Sequence, residues 1–209
     1  MPATNLGGSG ARECSKAQPR MTRIVILAEE PSGRIVAEHL AQKLNLIERT
    51  LCLEHQGKGD LDKSFPRKIG HWGAPQPPRF IVMRDNDGAN CMDLKAKLLE
   101  LVPPYAVARV KIRLVIQELE SWYLGDLDAI GRAGLLSNNA VEAHKRKANF
   151  RNPDQLRGAL QFFKRLIGNG GQIALARTIA PHLSLTDNRS RSFHAFLDAL
   201  RWGANEAVA

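Results

Sequence analysis

Arg23-Ile-Val-Ile-Leu-Ala28 is an unbroken apolar run. A strand with one wet face alternates apolar and polar residues. A strand covered on both faces does not, and such strands belong to parallel sheets with helices on either side. The run stops at Glu29-Glu30-Pro31-Ser32-Gly33, where Pro31 with Ser32 makes a good helix start. Ile35, Val36, His39, Leu40 and Leu44 then recur at helical spacing, predicting a helix of about three turns. The opening unit is therefore strand, acidic turn, helix.

The same unit repeats. Arg49–Leu53 reads as a second strand, followed by His55-Gln-Gly-Lys-Gly-Asp60. Asp60 is expected to cap a helix over Leu61–Ile69, and 73–78 is a proline-rich connector. Phe80–Met83 reads as a buried central strand that ends in Asp85-Asn86-Asp87-Gly88. Helical periodicity over 93–102 stops at Pro103-Pro104. Arg109–Ile116 alternates at first and then runs apolar, as a strand nearer an edge does. Four strands interleaved with helices predict an α/β fold, with a mainly parallel, doubly wound sheet of about four strands. Beyond residue 127 strand signals vanish. Helical stretches are expected at about 138–149, 154–167, 172–182 and 188–202, with Asp187 or Asn188 capping the last. The predicted organisation is a disordered leader over 1–20, an α/β core over 21–126 and a basic helical C-terminal extension over 127–209, packed on the core. Met21 stands just before the first strand and is a candidate translation start.

Three of the four strands end in acids: Glu29, then Asp85 with Asp87, then Glu118 with Glu120. Ligands of open α/β sheets bind beyond the carboxyl ends of the strands. Carboxylates gathered there repel one another unless a cation joins them. Hard divalent ions such as Mg²⁺ or Mn²⁺ take oxygen ligands of this kind. For Asp87-Gly88 alone, plain turn chemistry accounts for the residues equally well. For Glu30, interaction with a helix dipole does.

The chain of 209 residues is 44% hydrophobic, which is enough to bury a core, and its net charge is +9. That charge favours an anionic partner, nucleic acid before membrane surface. Lys58 between two glycines, Arg84, and Arg189 and Arg191 at the last helix start are the candidate phosphate contacts; cations at a helix N-terminus run against its dipole. Trp122 and Tyr123 are read as packing residues. No apolar run approaches the ~20 residues that span a bilayer, and the N-terminus lacks the apolar stretch of a secretory signal. Cys14, Cys52 and Cys91 have no CxxC spacing, which points to a reducing cytoplasm and away from a zinc site.

Glu29 after the first strand and Asp85-x-Asp87 after a later one resemble the Toprim domain of primases, topoisomerases and overcoming-lysogenization-defect nucleases. Ala28-Glu-Glu-Pro-Ser32, His55-Gln-Gly-Lys-Gly-Asp60, Arg84-Asp-Asn-Asp87, Glu118–Asp126 and Asn188–Phe193 resemble more narrowly a Toprim-like bacterial domain-of-unknown-function family, number 4276, from about Met21 to Trp202. The resemblance implies a compact Toprim-like fold and an acid-lined Mg²⁺ or Mn²⁺ site. Asp85 and Asp87 would hold the cation, and Glu29 would act in acid–base work or metal binding. It also implies phosphoryl-transfer or nuclease chemistry and, by analogy, an ABC-type ATPase partner in phage defence. Toprim domains usually carry Glu-Gly in the first motif; Glu30 stands here in place of the glycine.

Two functions remain in competition. One is a metal-dependent nuclease on DNA or RNA, with Glu29, Asp85 and Asp87 catalytic and metal-binding and Glu118 or Glu120 as further ligands. The other is a non-catalytic nucleic-acid or partner-binding module of the same fold. A haloacid-dehalogenase-like phosphatase ranks below both, because its acidic pair follows the first strand. A calcium loop at Asp85–Gly88 fails, because Met83 and Leu94 would fall at ligand positions one and twelve.

Overall fold

The computed structural model describes residues 23–73 and 76–205. The expected leader, 1–20, lies outside them, as does part of the 73–78 connector. Strands β1 (Ile24–Ala28), β2 (Thr50–Glu54), β3 (Arg79–Asp85) and β4 (Val110–Val115) form one sheet in the order β2-β1-β3-β4, all parallel. Helices α1 (Pro31–Lys43), α2 (Lys58–Gly70) and α3 (Cys91–Glu100) make the crossovers. The fold class read from the sequence is the one observed.

Every residue of β1 is fully buried, as a central strand between two helical layers requires. Alternate residues face opposite ways. Ile24, Ile26, Ile81, Met83 and Val115 point into one core. Val25, Leu27, Phe80, Val82 and Ile112 point into a second core, with Leu61, Phe65 and Ile69 of α2 and Leu98 of α3. β4 is an edge strand, and its polar positions meet the last helix. Arg113 Nε donates to Ala195 O at 2.9 Å, and Lys111 lies over the Trp202 ring.

The rest of the chain is helical: α4 (Glu120–Gly125), α5 (Leu127–Arg132), α6 (Asn138–Lys145), α7 (Ala159–Ile167), α8 (Gln172–Ile179) and α9 (Arg191–Ala204). Its apolar faces enter the first core beside β1 and α1, so Ile24 and Leu200 belong to one cluster.

The structure differs from the sequence reading in local ways. α4 and α5 were not expected, and Glu120 therefore opens a helix instead of ending a strand. α7 starts at Ala159, not 154, because Gly158 adopts φ 66° and breaks the path. Asp60 lies inside the first turn of α2, and its Oδ2 accepts from the N–H of Gln56. The cap of α9 is Ser190, whose Oγ accepts from Phe193 N at 3.1 Å; neither Asp187 nor Asn188 has that role. Asp154 supports the same start, accepting from Ser192 N and Ser190 Oγ.

Candidate metal centre

The order 2-1-3-4 sends the chain away from β1 on one side and from β3 on the other. The carboxyl ends of these two central strands therefore flank the switch point where open α/β sheets bind ligands. Glu29 follows β1, and Asp85 closes β3. Glu29 N donates to Met83 O at 3.1 Å. In return Glu29 Oε2 accepts from Asp85 N at 3.0 Å. The two acids are locked together through main chain, so the first two acidic motifs share one cleft.

The electrostatics follow from that closeness. Burial pushes the Asp85 carboxyl well above the usual carboxylate range, and Glu29, Glu120, Asp87 and Glu30 push it further. Burial also raises Glu29; the Asp85 N–H and the Arg84 charge partly offset this. Glu120, 3% exposed, is raised by burial and by Glu118. The cleft thus concentrates negative charge in a dehydrated place, a common mark of functional sites.

The outer acids are each engaged. Asp87 Oδ2 takes a 3.0 Å ion pair from Lys58 Nζ, with both side chains well exposed. Glu118 Oε2 accepts from Leu160 N at 2.8 Å and so caps α7 from a distance. Among the described residues, no three His, Cys, Asp or Glu side chains converge closely enough to hold one ion by themselves. The donor chemistry nevertheless suits a hard cation, because Mg²⁺ takes one or two carboxylates and keeps waters and phosphate oxygens for the rest. Glu29 and Asp85 are the residues that would supply such a pair. The hydroxyl of Tyr123, buried and without a hydrogen-bond partner, lies near enough to Asp85 and Glu120 to feel their charges.

Of the four basic residues predicted to contact phosphate, Lys58 pairs with a predicted site acid, Asp87. Arg84 is 8% exposed; its Nε donates to Asp62 Oδ1 at 3.1 Å and its Nη1 to Asp85 O at 2.9 Å. Arg189 Nη1 donates to the carbonyls of Lys145 and Phe150, which explains a cation beside the α9 start: it serves the C-terminal end of α6. Arg191 is exposed at the first position of α9.

Two residues that shape the site were missed. Asn86, 3% exposed, donates to Ala89 O and accepts from Gln117 N, tying the exits of β3 and β4 together. On either side of this tie Asp87 and Gln117 hold left-handed conformations, φ 48° and 64°. His55 Nδ1–H donates to Ala28 O at 2.8 Å, while its Nε2 accepts from Lys68 Nζ. It thereby fixes the end of β1 directly before Glu29. An Asn between two acids and a His after a strand carry little sequence signal of such roles.

The family described as Domain of unknown function (DUF4276) matches residues 26–201. The chain belongs to that family. The matched span takes in every acid of the cleft. The structure of this DUF4276 chain is similar to the C-terminal region of the Burkholderia pseudomallei OLD protein, with a TM-score of 0.54 and 16% identity over 88% of this chain and 99% of that one. The C-terminal region of the Xanthomonas campestris pv. campestris OLD protein gives a TM-score of 0.48 and 14% identity, over 86% and 94%. At 16% identity the likeness to the Burkholderia protein is one of fold, and the fold is Toprim-like. No curated protein matches the chain. Among the described residues no helix is long and apolar enough to cross a membrane.

Proposed function

We propose that this DUF4276 chain is a divalent-metal-dependent nuclease, or a closely related phosphoryl-transfer enzyme, acting on DNA or RNA. The observation that carries this reading is the 3.0 Å contact of Glu29 with Asp85 at the switch point, inside a cleft whose carboxylates repel one another. The resemblance of the motifs to Toprim nucleases agrees with it.

A divalent ion held by Asp85 and Glu29, with Asp87 completing the set, would polarise a phosphoryl oxygen and activate a water. The chain's own residues do the rest. Asp85 N–H orients the Glu29 carboxylate, which would accept a proton from an attacking water. Lys58, paired with Asp87 here, would hold a substrate phosphate if a cation took its place at Asp87. Arg191, exposed on α9, would contact the backbone farther out. Glu120 contributes charge to the cleft, whereas Glu118 keeps α7 in place. The ATPase partner and the defence role belong to this proposal through the family resemblance alone.

Purified protein with Mg²⁺ or Mn²⁺ should nick plasmid or degrade RNA, and Asp85→Asn should abolish the cleavage. Equal activity in the variant ends the proposal. The ion pair at Asp87 favours a second reading, a binding module in which Lys58 permanently takes the cation's place. Calorimetric titration with Mn²⁺ separates the two: no uptake at about millimolar metal, a weak-site concentration, selects the binding module.

A further inference from the structure

The 32 residues from Arg146 to Arg177 carry seven lysines and arginines and one acid, Asp154, so +6 of the net charge of +9 sits there. That acid is engaged elsewhere: its oxygens accept from Ser190 Oγ and from the N–H of Ser192 at the start of α9. Among the described residues, Arg146, Lys147, Arg151, Arg157, Lys164 and Arg177 make no side-chain ion pair or hydrogen bond. Other surface cations are answered: Arg34 by Glu38 and Glu54, Lys145 by Asp128 and Glu142, Arg201 by Asp198. Like charges without partners repel one another and weaken the compact state. A polyanion laid over them removes that cost.

Packing gathers these cations. Lys147 and Arg151 flank a short turn over Ala148–Phe150. The buried Phe150 ring lies 5.5 Å from that of Phe162 in α7, and the Arg165 guanidinium lies 5.8 Å from the Phe162 ring centre. α7 turns Ala159 and Phe163 inward, while Arg157 and Arg165 stay exposed. Arg191 stands between the two serines that bind Asp154, at the border of the same patch. The patch meets the acidic cleft at two points. Leu119 lines the cleft, and its neighbour Glu118 accepts from Leu160 N, the second residue of α7. Gln172, the first residue of α8, lines the cleft as well.

We infer that the surface over residues 146–177 is the track that holds the sugar–phosphate backbone of a nucleic acid beside the acidic cleft. This rests on the reading of the cleft as a phosphoryl-transfer site and names the surface that carries its substrate. A cleft lined by Glu29, Glu30 and Asp85 repels a polyanion, so affinity has to come from outside it. Cations spread along a surface neutralise successive phosphates and release counter-ions, which binds the backbone without reading its sequence. A membrane fits this surface less well. Helices that lie on a bilayer sink an apolar face into it, whereas α7 packs its apolar face against the core. Of the large apolar residues in the segment, Ile173 is the one that stands well exposed.

The test is a fluorescence-anisotropy titration of the full chain, in EDTA so that nothing is cut, over a range of salt. The probes are labelled single strands of about 20 nucleotides, longer than one ordinary single-strand site, as DNA and as RNA, and the DNA duplex. Saturable binding that weakens as salt rises is expected, and the arm bound most tightly names the sugar. Arg151→Gln/Arg157→Gln/Arg165→Gln should bind about tenfold or more weakly and lower the slope of log K on log salt by about 2–3, roughly one per phosphate contact removed. Lys63→Gln/Arg67→Gln/Lys97→Gln removes the same charge from exposed positions of α2 and α3 and should bind as the wild type does. Matching melting temperatures show that both triples fold. Equal losses in the two triples reduce the effect to net charge and overturn the track. Binding to phosphatidylserine vesicles and to none of the three nucleic acids overturns it too. Binding through the patch by a protein that cleaves nothing supports the track and removes the nuclease reading. Cleavage with unchanged KM in the patch variant keeps the nuclease and overturns the track, so the two fail separately.

Discussion

Asp85 N–H donates to Glu29 Oε2 across 3.0 Å, joining the ends of the two central strands. The bond is made by main chain on one side, so it survives changes to the Asp85 side chain. Asp85→Asn therefore keeps the geometry and removes one repelled, dehydrated charge. Without metal near neutral pH, the variant should melt higher than the wild type, by about 2–4 °C for each kcal/mol gained in a chain of this size. Added Mg²⁺ or Mn²⁺ should raise the wild-type melting temperature more than that of the variant, because ligand binding to the native state alone stabilises it. Scanning calorimetry with and without metal checks both. A variant less stable than the wild type would mean that the charge is not crowded.

Lys58 competes with any cation for Asp87. The 3.0 Å pair is exposed on both sides, so its strength is modest. Lys58→Gln should tighten Mn²⁺ binding about two- to fivefold by titration calorimetry, the range expected for a surface pair. If Asp87 takes no part in metal binding, the constant will not move.

Gly125 has no room for a side chain. A Cβ there would lie 2.2 Å from Asn188 Oδ1 and 3.1 Å from Ser190 N. Asn188 is 4% exposed; its Nδ2 donates to Trp122 O at 2.8 Å and its Oδ1 accepts from Ser190 N. Gly125→Ala should displace this network and cost about 2–4 kcal/mol, from overpacking plus a broken buried hydrogen bond. Urea denaturation measures it. A cost below about 0.5 kcal/mol, the ordinary surface value, would show that the two segments separate freely.

His55, which holds the end of β1 before Glu29, offers a pH test. Burial holds its imidazole below the ordinary value of 6.5; the bond to Ala28 O opposes this, Lys68 lowers it further and Asp60 raises it. The unfolded chain then binds the proton more readily than the native one. Stability should fall as pH drops through the ordinary imidazole range and level off once the native ring is protonated as well. Denaturation at about pH 7.5 and about pH 5.5, which bracket that range, should differ less in His55→Gln than in the wild type. An equal difference would place the pH dependence elsewhere.

The sheet was legible because burial on both faces leaves an unmistakable mark: Ile24–Ala28 has no polar residue to confuse its period. Glu29 and Asp85 were legible as neighbours at the sheet edge because each stands at the end of such a run. Short helices were not. α4 and α5 have six residues each, under two turns, too few to establish a period. The caps were misplaced because Asp187, Asn188 and Ser190 are all good capping residues. Only the tertiary bonds of Asn188 to Trp122 and of Asp154 to Ser190 choose among them.

The pairing of Ile24 with Leu200 in one core has a consequence for biosynthesis. A ribosome adds about 5–20 residues per second. The sheet is complete once β4 has emerged, yet α9 arrives some seconds later. During that interval Ile24, Ile81 and Val115 face water with part of their cover missing. A pause in translation between β4 and α9 would prolong the exposure, and this is the stage at which a nascent-chain chaperone would do most to keep the polypeptide from aggregating.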